Sequence, residues 1–166
     1  MSAQYELNFN MKGSGFKVNE RAGENLGNHK LVYRNLLGTW SLADADAVAT
    51  MPVLGITMGA ITTGKKGEIL LWGYIGTQPD PTETPYWAWT VGVPLYASTV
   101  AGELTETMPV GIGDVVQIVA ITIDATLIHF MGTVGASLGG SNTLEGETAF
   151  VGFDASKDHF VNYYRG

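Results

Sequence analysis

Three short apolar runs in the middle of the chain, separated by turn residues, restrict its fold more than any other feature. They occupy residues 94–98, 114–122 and 126–130, and Gly, Pro, Thr and Asp fill the gaps between them. The second run is rich in β-branched side chains, which fit a pleated sheet better than a helix. Short apolar runs bounded by turn residues are typical of strands buried on both faces. We therefore predict a β-hairpin over residues 114–130, with its loop at residues 124–126.

The remainder of the chain repeats this pattern of short strands and turns. Its 22 glycines punctuate the sequence every few residues, as in all-β folds with many short strands. The predicted fold is all-β, a compact β-barrel or sandwich of short antiparallel strands. We divide it into an N-terminal arm or strand (residues 1–18), a β domain (19–131) and a Gly-rich loop with C-terminal strands that pack on the same domain (132–166). Further strands are predicted at residues 30–34, 40–42, 51–58, 68–75, 148–153 and 159–164.

The N-terminus carries a separate strand pattern. Apolar residues alternate with Glu and Asn, and alternation with a period of two predicts a half-buried strand. A glycine-containing break is predicted next, at residues 12–15. Such a strand can pair with its own sheet or add to the edge of a neighbouring subunit. Its apolar residues are candidate interface residues, namely Tyr5, Leu7, Phe9 and Met11.

The charge and composition of the chain exclude several classes of function. Only 15 % of the 166 residues are charged and 45 % are apolar, whereas charged residues make up about 25 % of typical soluble domains. The net charge is −7 and no basic cluster is present, which argues against nucleic-acid binding. The chain has no Cys, and no apolar run approaches the roughly 20 residues of a membrane helix. We expect no secretory signal, no membrane partner and a surface largely covered by other subunits.

One stretch resembles a phosphate-binding loop. Residues 59–66 read GAITTGKK, close to the G-x-x-x-x-G-K-[ST] pattern. Lys66 stands where a hydroxyl must reach magnesium, and a predicted strand follows instead of a helix. We therefore interpret this stretch as a turn.

Other reactive side chains are isolated in the sequence. Asp44 and Asp46 lack the further oxygen ligands that calcium needs, so we interpret them as a solvated acidic loop. Ser137 lies in a G-x-S-x-G spacing without a preceding buried strand, and the three histidines have no metal-ligand spacing. We predict no catalytic residue, no cofactor and no metal site. The histidines are His29, His129 and His159.

A Pro-rich segment at residues 78–85 ends in a dense aromatic patch of Tyr86, Trp87 and Trp89. Trp and Tyr are enriched in interface hot spots because they bury a large area with few rotatable bonds. The patch fits two roles equally well from sequence, core packing and subunit contact. Stacking on a carbohydrate is a less favoured third interpretation. We keep these three residues as candidate interface residues.

Between residues 22 and 130, turns and strands follow one another in a recognisable order. The motifs in that order are AGE at 22–24, WSLADA at 40–45, MPVLGI at 51–56, GVPLYAS at 92–98 and GDVVQIV at 113–119. This order resembles a group of small β-rich structural proteins of tailed phages, similar to head-decoration (capsid cement) or tail-associated proteins. The resemblance implies an all-β subunit that binds a capsid or another virion surface and contributes no catalytic motif.

From these observations we expect a non-enzymatic virion structural protein, a capsid decoration protein that acts through subunit contacts. Its expected partners are copies of itself and a major capsid or other virion protein, and its expected location is the virion, on the capsid surface or tail. Two alternatives remain: a self-polymerising filament or tail-fibre subunit that exchanges strands, and a carbohydrate-binding module.

Overall fold

A computed structural model describes residues 14–77 and 86–132, together with the backbone of three later strands. The described chain is almost entirely β, as the sequence predicts, and its one helical element is a 3-10 turn at Val48–Thr50. The predicted loop at residues 78–85 and most of the Gly-rich segment lie outside the described residues. The strands are β1 Ser14–Arg21, β2 Leu31–Arg34, β3 Trp40–Leu42, β4 Gly55–Thr57, β5 Lys66–Gly76, β6 Pro94–Ala97, β7 Leu104–Thr105, β8 Val115–Val116, β9 Ile118–Asp124, β10 Leu127–Met131, β11 Ser137–Leu138, β12 Thr148–Asp154 and β13 His159–Arg165.

The longest strand, β5, organises the main sheet, whose order is β3-β2-β4-β5-β10-β9-β6-β7. On one edge of β5 lies β1, which pairs with it from Lys66 to Tyr74. On the opposite edge two strands follow one another, β10 beside Trp72–Gly76 and β4 beside Ile69 and Leu70. All of these pairs are antiparallel. Two arms of the sheet therefore diverge from one strand, one through β10 and the other through β4.

The two arms curl towards each other into an antiparallel half-barrel. The loop after β6 reaches back to the loop after β3, where Gly102 donates its N–H to Ala43 O at 2.7 Å and Leu31 donates to Gly102 O at 2.8 Å. A further bond joins Ala45 N–H to Ser98 O at 3.0 Å. These bonds satisfy backbone groups that would otherwise be buried without partners where the ends of the sheet meet.

Two hydrophobic cores lie on opposite faces of the β2–β4–β5 portion of the sheet. Alternate residues separate them, since Leu31 and Leu70 belong to the larger core whereas Val32 and Ile69 belong to the smaller one. All four side chains are fully buried. This portion of the sheet is therefore covered on both sides, which explains its continuous apolar sequence.

The predicted hairpin at residues 114–130 is present in a modified form. β9 and β10 pair around the two-residue loop Ala125-Thr126, with a register shift beside Leu127. Val115 and Val116 form the separate strand β8, which pairs with β11. The prediction of burial on both faces was wrong at the loop end of β9, where Ile123 is 45 % exposed. The cause is strand alternation, because Ile123 lies on the opposite face of β9 from its buried neighbour Thr122.

Gln117 separates β8 from β9 and joins three parts of the chain. Its buried side chain accepts a hydrogen bond from Val53 N–H at 2.8 Å and donates to Val53 O at 2.9 Å and to Gly132 O at 3.2 Å. These bonds occupy the backbone of Val53, and Pro52 has no N–H to pair. The predicted strand at residues 51–58 consequently begins only at Gly55.

We predicted a break at residues 12–15, but Ser14 and Gly15 already belong to β1. This strand also crosses the boundary that we placed after residue 18. Gly15 and Gly73 sit opposite each other with φ of 149° and 141°. A Cβ on Gly73 would lie 2.1 Å from Ser14 O, and one on Gly15 would lie 2.0 Å from Trp72 O. Only glycine permits this close approach of the two strands.

We expect Gly73→Ala to lower the free energy of unfolding by about 2–4 kcal/mol, because the methyl group meets rigid backbone and the residue keeps a positive φ. Denaturant titration measures the loss. The matched control is Gly59→Ala, since a Cβ at Gly59 has no neighbour within 4 Å. Equal stabilities of the two variants would show that the close approach is unimportant.

Candidate functional site

An aromatic strip crosses the outer face of the sheet on β1, β5 and β10. We use this name for Phe16, Trp72, Tyr74 and His129. The rings of Phe16 and Trp72 are 6.3 Å apart, Trp72 meets His129 edge-on at 4.9 Å, and His129 stacks on Tyr74 at 4.7 Å with an interplanar angle of 22°. Offset and edge-on contacts of this kind stabilise aromatic clusters.

Strand alternation places the strip opposite the larger core. Ile75, Ile128 and Phe130 point into that core, so their neighbours Tyr74 and His129 lie on the other face. Register completes the arrangement, since Tyr74 pairs with His129 and Trp72 pairs with Phe16. Four aromatic side chains from three strands thereby become neighbours.

The strip is open to solvent at one end. Phe16 is 73 % exposed and Trp72 is 48 % exposed, whereas Tyr74 and His129 are half-buried. The apolar surface continues onto β9, where Ile121 pairs with His129. Exposed patches of large apolar side chains mark sites of interaction more often than isolated exposed residues do.

The ring of His129 is enclosed more than the sequence suggests. Its Nε2 atom is buried and has no hydrogen-bond partner among the described residues. The predicted surface or hydrogen-bonded histidine is therefore a half-buried ring stacked within the strip. Its immediate ring neighbours, Trp72 and Tyr74, make it part of an apolar contact surface.

The aromatic patch after the Pro-rich segment divides into three environments. Trp87 is only 6 % exposed and belongs to the larger core, with its ring 4.9 Å from that of His29. Trp89 is half-buried at 6.0 Å from Trp87, and Tyr86 is 43 % exposed. Of the two roles open to Trp87 from sequence, core packing is the one that the structure shows. A shared platform of all three rings for a sugar is not formed.

Backbone bonds explain the burial of Trp87. Trp89 N–H donates to Ala125 O at 2.9 Å, which fixes this segment against the β9–β10 loop. Trp87 N–H contacts Thr77 Oγ1 at 3.4 Å. The segment thus closes one end of the core. The other predicted interface residues, Tyr5, Leu7, Phe9 and Met11, lie outside the described residues.

The sequence did not predict that the four residues of the aromatic strip form one surface. The alternation of Trp72 and Tyr74 within WGYI signals one shared face of a strand. It does not reveal that Phe16 and His129 lie beside that face, because the pairing joins residues more than 50 positions apart. A register is set by tertiary packing and cannot be read from one strand.

The turn that we predicted within residues 59–66 is present. Gly64 adopts a φ of 75° and Lys66 begins β5. A shallow depression of about 200 Å³ lies beside it, lined by Met58, Gly59, Ala60, Ile61, Gly67 and Glu68. No helix follows the turn, so the stacked amides of a phosphate-binding loop are not formed.

Among the described residues, the acidic loop contains the one carboxyl group whose pKa departs clearly from its usual value. Asp46 is fully exposed, and its backbone N–H donates to Asp44 Oδ1 at 3.1 Å. The charge of Asp44 is the main cause that raises the pKa of Asp46, and Asp114 adds to it. Within the described residues, no group of three or more His, Asp or Glu side chains is placed to hold a metal ion.

Comparisons with known proteins add no family assignment. No protein-family model matches the sequence, and no curated protein is significantly similar to it. Among the described residues, no helix is long and apolar enough to cross a membrane. The likeness to tailed-phage structural proteins therefore stays a prediction from turn and strand motifs.

We expect Asp46→Asn to raise the melting temperature at neutral pH, because it removes repulsion from Asp44. The repulsion raises the pKa of Asp46 in the folded chain. It therefore destabilises the fold fully at pH values above that pKa and less as the pH falls through it. The gain should disappear below about pH 3, where carboxyl groups are protonated, and should shrink in high salt. Thermal melts across pH measure it. The control is Asp124→Asn, at an exposed residue beside the β9–β10 loop; an equal gain there would assign the effect to net charge alone.

Proposed function

We propose that this chain is a non-enzymatic structural protein of a virion, a capsid decoration subunit that acts by adhesion. Its partners are copies of itself and a major capsid protein. Such a protein functions by binding other subunits, so its functional surface is an apolar patch that becomes buried against them. The observation that carries the proposal is the aromatic strip.

The strip has the composition of an interface core. Trp and Tyr are enriched among residues that dominate binding energy, and the centres of interfaces are depleted in charged side chains. Trp72 presents about half of its surface to solvent and Phe16 almost three quarters. Their burial against a partner would contribute about 25 cal/mol for each Å² of apolar surface removed from water.

The rest of the surface supports the same role. Only 15 % of the residues are charged, and further large apolar side chains are exposed at two loop tips. Leu36 and Leu37 lie in the β2–β3 turn, and Val110 and Ile112 lie in the loop before β8. A shell-bound subunit contacts several neighbours and needs more than one such surface. The partner class comes from the resemblance over residues 22–130.

A second candidate function, a self-polymerising filament or tail-fibre subunit, is favoured by a different observation. Among the described strands, β1 pairs with β5 along one edge. In a filament, a strand of the next copy would add to the other edge of β1. Head-to-tail addition of strands produces an open fibre because the contact does not close on itself. The two candidates differ in the shape of the assembly that they produce.

We expect Trp72→Ser to weaken self-association at least about tenfold, as loss of a central aromatic anchor does in protein interfaces. Sedimentation velocity over a concentration series measures the association constant. The matched control is Val100→Ser, at an apolar residue that is 61 % exposed and lies outside the strip and the two loop tips, and it should associate as the wild type does. Circular dichroism verifies that both variants are folded.

Negative-stain electron microscopy of the wild-type protein separates the two candidates. Discrete oligomers that lose stability in Trp72→Ser support the decoration subunit, whereas long fibres support the filament. A wild-type protein that stays monomeric at every concentration would remove the basis of the proposal that copies of this chain bind each other.

A further inference from the structure

The turn between β2 and β3 presents two adjacent leucines to solvent. Leu36 and Leu37 are both almost fully exposed. A hydrogen bond from Gly38 N–H to Asn35 O at 2.9 Å closes the turn, and Gly38 adopts a φ of 73°. The two leucines occupy the central positions of this four-residue turn, which project beyond the end of the sheet. We call the pair the leucine tip.

Hydrogen bonds inside the turn hold the leucine tip in one conformation. Asn35 Oδ1 accepts bonds from Leu37 N–H at 3.0 Å and from Thr39 N–H at 3.1 Å. Asn35 Nδ2 donates to Ser41 Oγ at 3.0 Å. The backbone N–H groups of residues 37, 38 and 39 therefore have partners within the turn and lose none when the tip is covered. A contact that is rigid before binding loses less conformational entropy on binding.

One charged side chain lies beside the leucine tip. The guanidinium carbon of Arg34 is 5.9 Å from the ring centroid of Trp40, within the range of a cation–π contact. Arg34 is the one charged residue in the sequence from residue 31 to residue 42. A surface that matches the tip is therefore apolar and carries a negative charge at its rim.

The depression beside the turn of residues 59–66 has both properties. Its volume is about 200 Å³, and apolar cavities of about 150 Å³ hold a benzene molecule, which is comparable in size to a leucine side chain. Glu68 is the one charged residue among the six that line it. The side chain of Glu68 is 56 % exposed and lies 3.6 Å from Lys17 Nζ, and a carboxylate can accept bonds from a second cation. Among the described residues, nothing lies within 4 Å of a Cβ built on Gly59, so the depression is open above this glycine.

The leucine tip and the depression lie at opposite ends of the same two strands. β2 and β4 are antiparallel, and Thr57 at the end of β4 donates its N–H to Lys30 O, just before β2. The depression begins at the next residue, Met58. The leucine tip follows the other end of β2, roughly 16 Å away for five residues at about 3.3 Å each. The tip of one chain therefore cannot reach the depression of the same chain.

We propose that the leucine tip of one copy of this chain docks in the depression of a second copy, where Arg34 of the first copy meets Glu68 of the second. The contact joins two different surfaces at opposite ends of the sheet, so it is heterologous and builds a ring or a filament. The inference rests on the proposed binding between copies of this chain. It depends neither on the virion role nor on the aromatic strip.

The test isolates this contact by placing every variant in a Trp72→Ser chain, which lacks the main anchor of the aromatic strip. Leu36→Ser/Leu37→Ser removes the leucine tip, and Gly59→Leu fills the depression. We expect each change to weaken the remaining self-association at least about tenfold, because the apolar side chains at the contact stay in water. Sedimentation velocity up to millimolar concentration measures the association constant.

The matched control is Val100→Ser in the same Trp72→Ser chain, because Val100 is an exposed apolar residue of a different loop. It should leave the association constant unchanged. Circular dichroism and thermal melts verify that all variants are folded.

A mixture of the two variants tests the head-to-tail geometry. The variant without the leucine tip keeps its depression, and the Gly59→Leu variant keeps its tip. Each variant alone should be monomeric, whereas an equimolar mixture should form a dimer of the two chains through the one intact contact. A mixture that stays monomeric would overturn the proposal.

The remaining outcomes separate this inference from the proposed function. Self-association of Trp72→Ser that neither variant changes, or a Trp72→Ser chain that is monomeric at every concentration, would overturn the inference and leave the aromatic strip as the contact between copies. A monomeric wild type would overturn the proposed binding between copies as well.

Vesicle flotation tests a different occupant for the leucine tip. We expect the wild type not to float with phosphatidylcholine vesicles, because its tip docks on protein. Flotation of the wild type that is lost in Leu36→Ser/Leu37→Ser would assign the tip to a lipid surface and refute docking on a second copy.

Discussion

Every part of the main sheet is attached through β5, which is hydrogen-bonded along both edges. β1 covers one edge, and β10 and β4 share the other end to end. A strand with three partners cannot move without breaking contacts on both sides, so it acts as the rigid axis of the fold. The close contact of Gly15 with Gly73 is part of this constraint, because the backbones of β1 and β5 meet where no side chain fits.

Strand β5 contributes side chains both to the buried cores and to the exposed surface. Near Ile69 and Leu70 both faces of β5 are covered by hydrophobic cores. A few residues further along the strand, one face still covers the larger core, but the other carries Trp72 and Tyr74 outward into the aromatic strip. The same strand thereby stabilises the fold at one end and presents a contact surface at the other. The proposed adhesive role would depend on that combination, because a contact patch transmits load only when its support is rigid.

Local pattern predicted most of the elements but only part of the site. β2, β3, β6 and the β9–β10 hairpin follow from short apolar runs and turn residues, and the turn at residues 59–66 follows from the missing helix. From the sequence, Trp87 fits core packing and subunit contact equally well, and the structure buries it in the larger core. The sequence did not mark Trp72 and Phe16 as candidate interface residues, yet both are exposed. Aromatic residue type alone does not distinguish the two roles, because burial depends on which distant strands pack over each ring.

The sequence by itself determined that this protein is all-β, low in charge and without cysteine, and it determined most of the strand positions. These properties depend on residue type and spacing, which act within a few positions along the chain. Only the tertiary structure decided that β5 has strands on both edges, that Gln117 ties the chain before β4 to the end of β10, and that Phe16, Trp72, Tyr74 and His129 share one surface. The physical reason is that strand pairing joins distant residues, and its register is selected by the packing of the whole sheet.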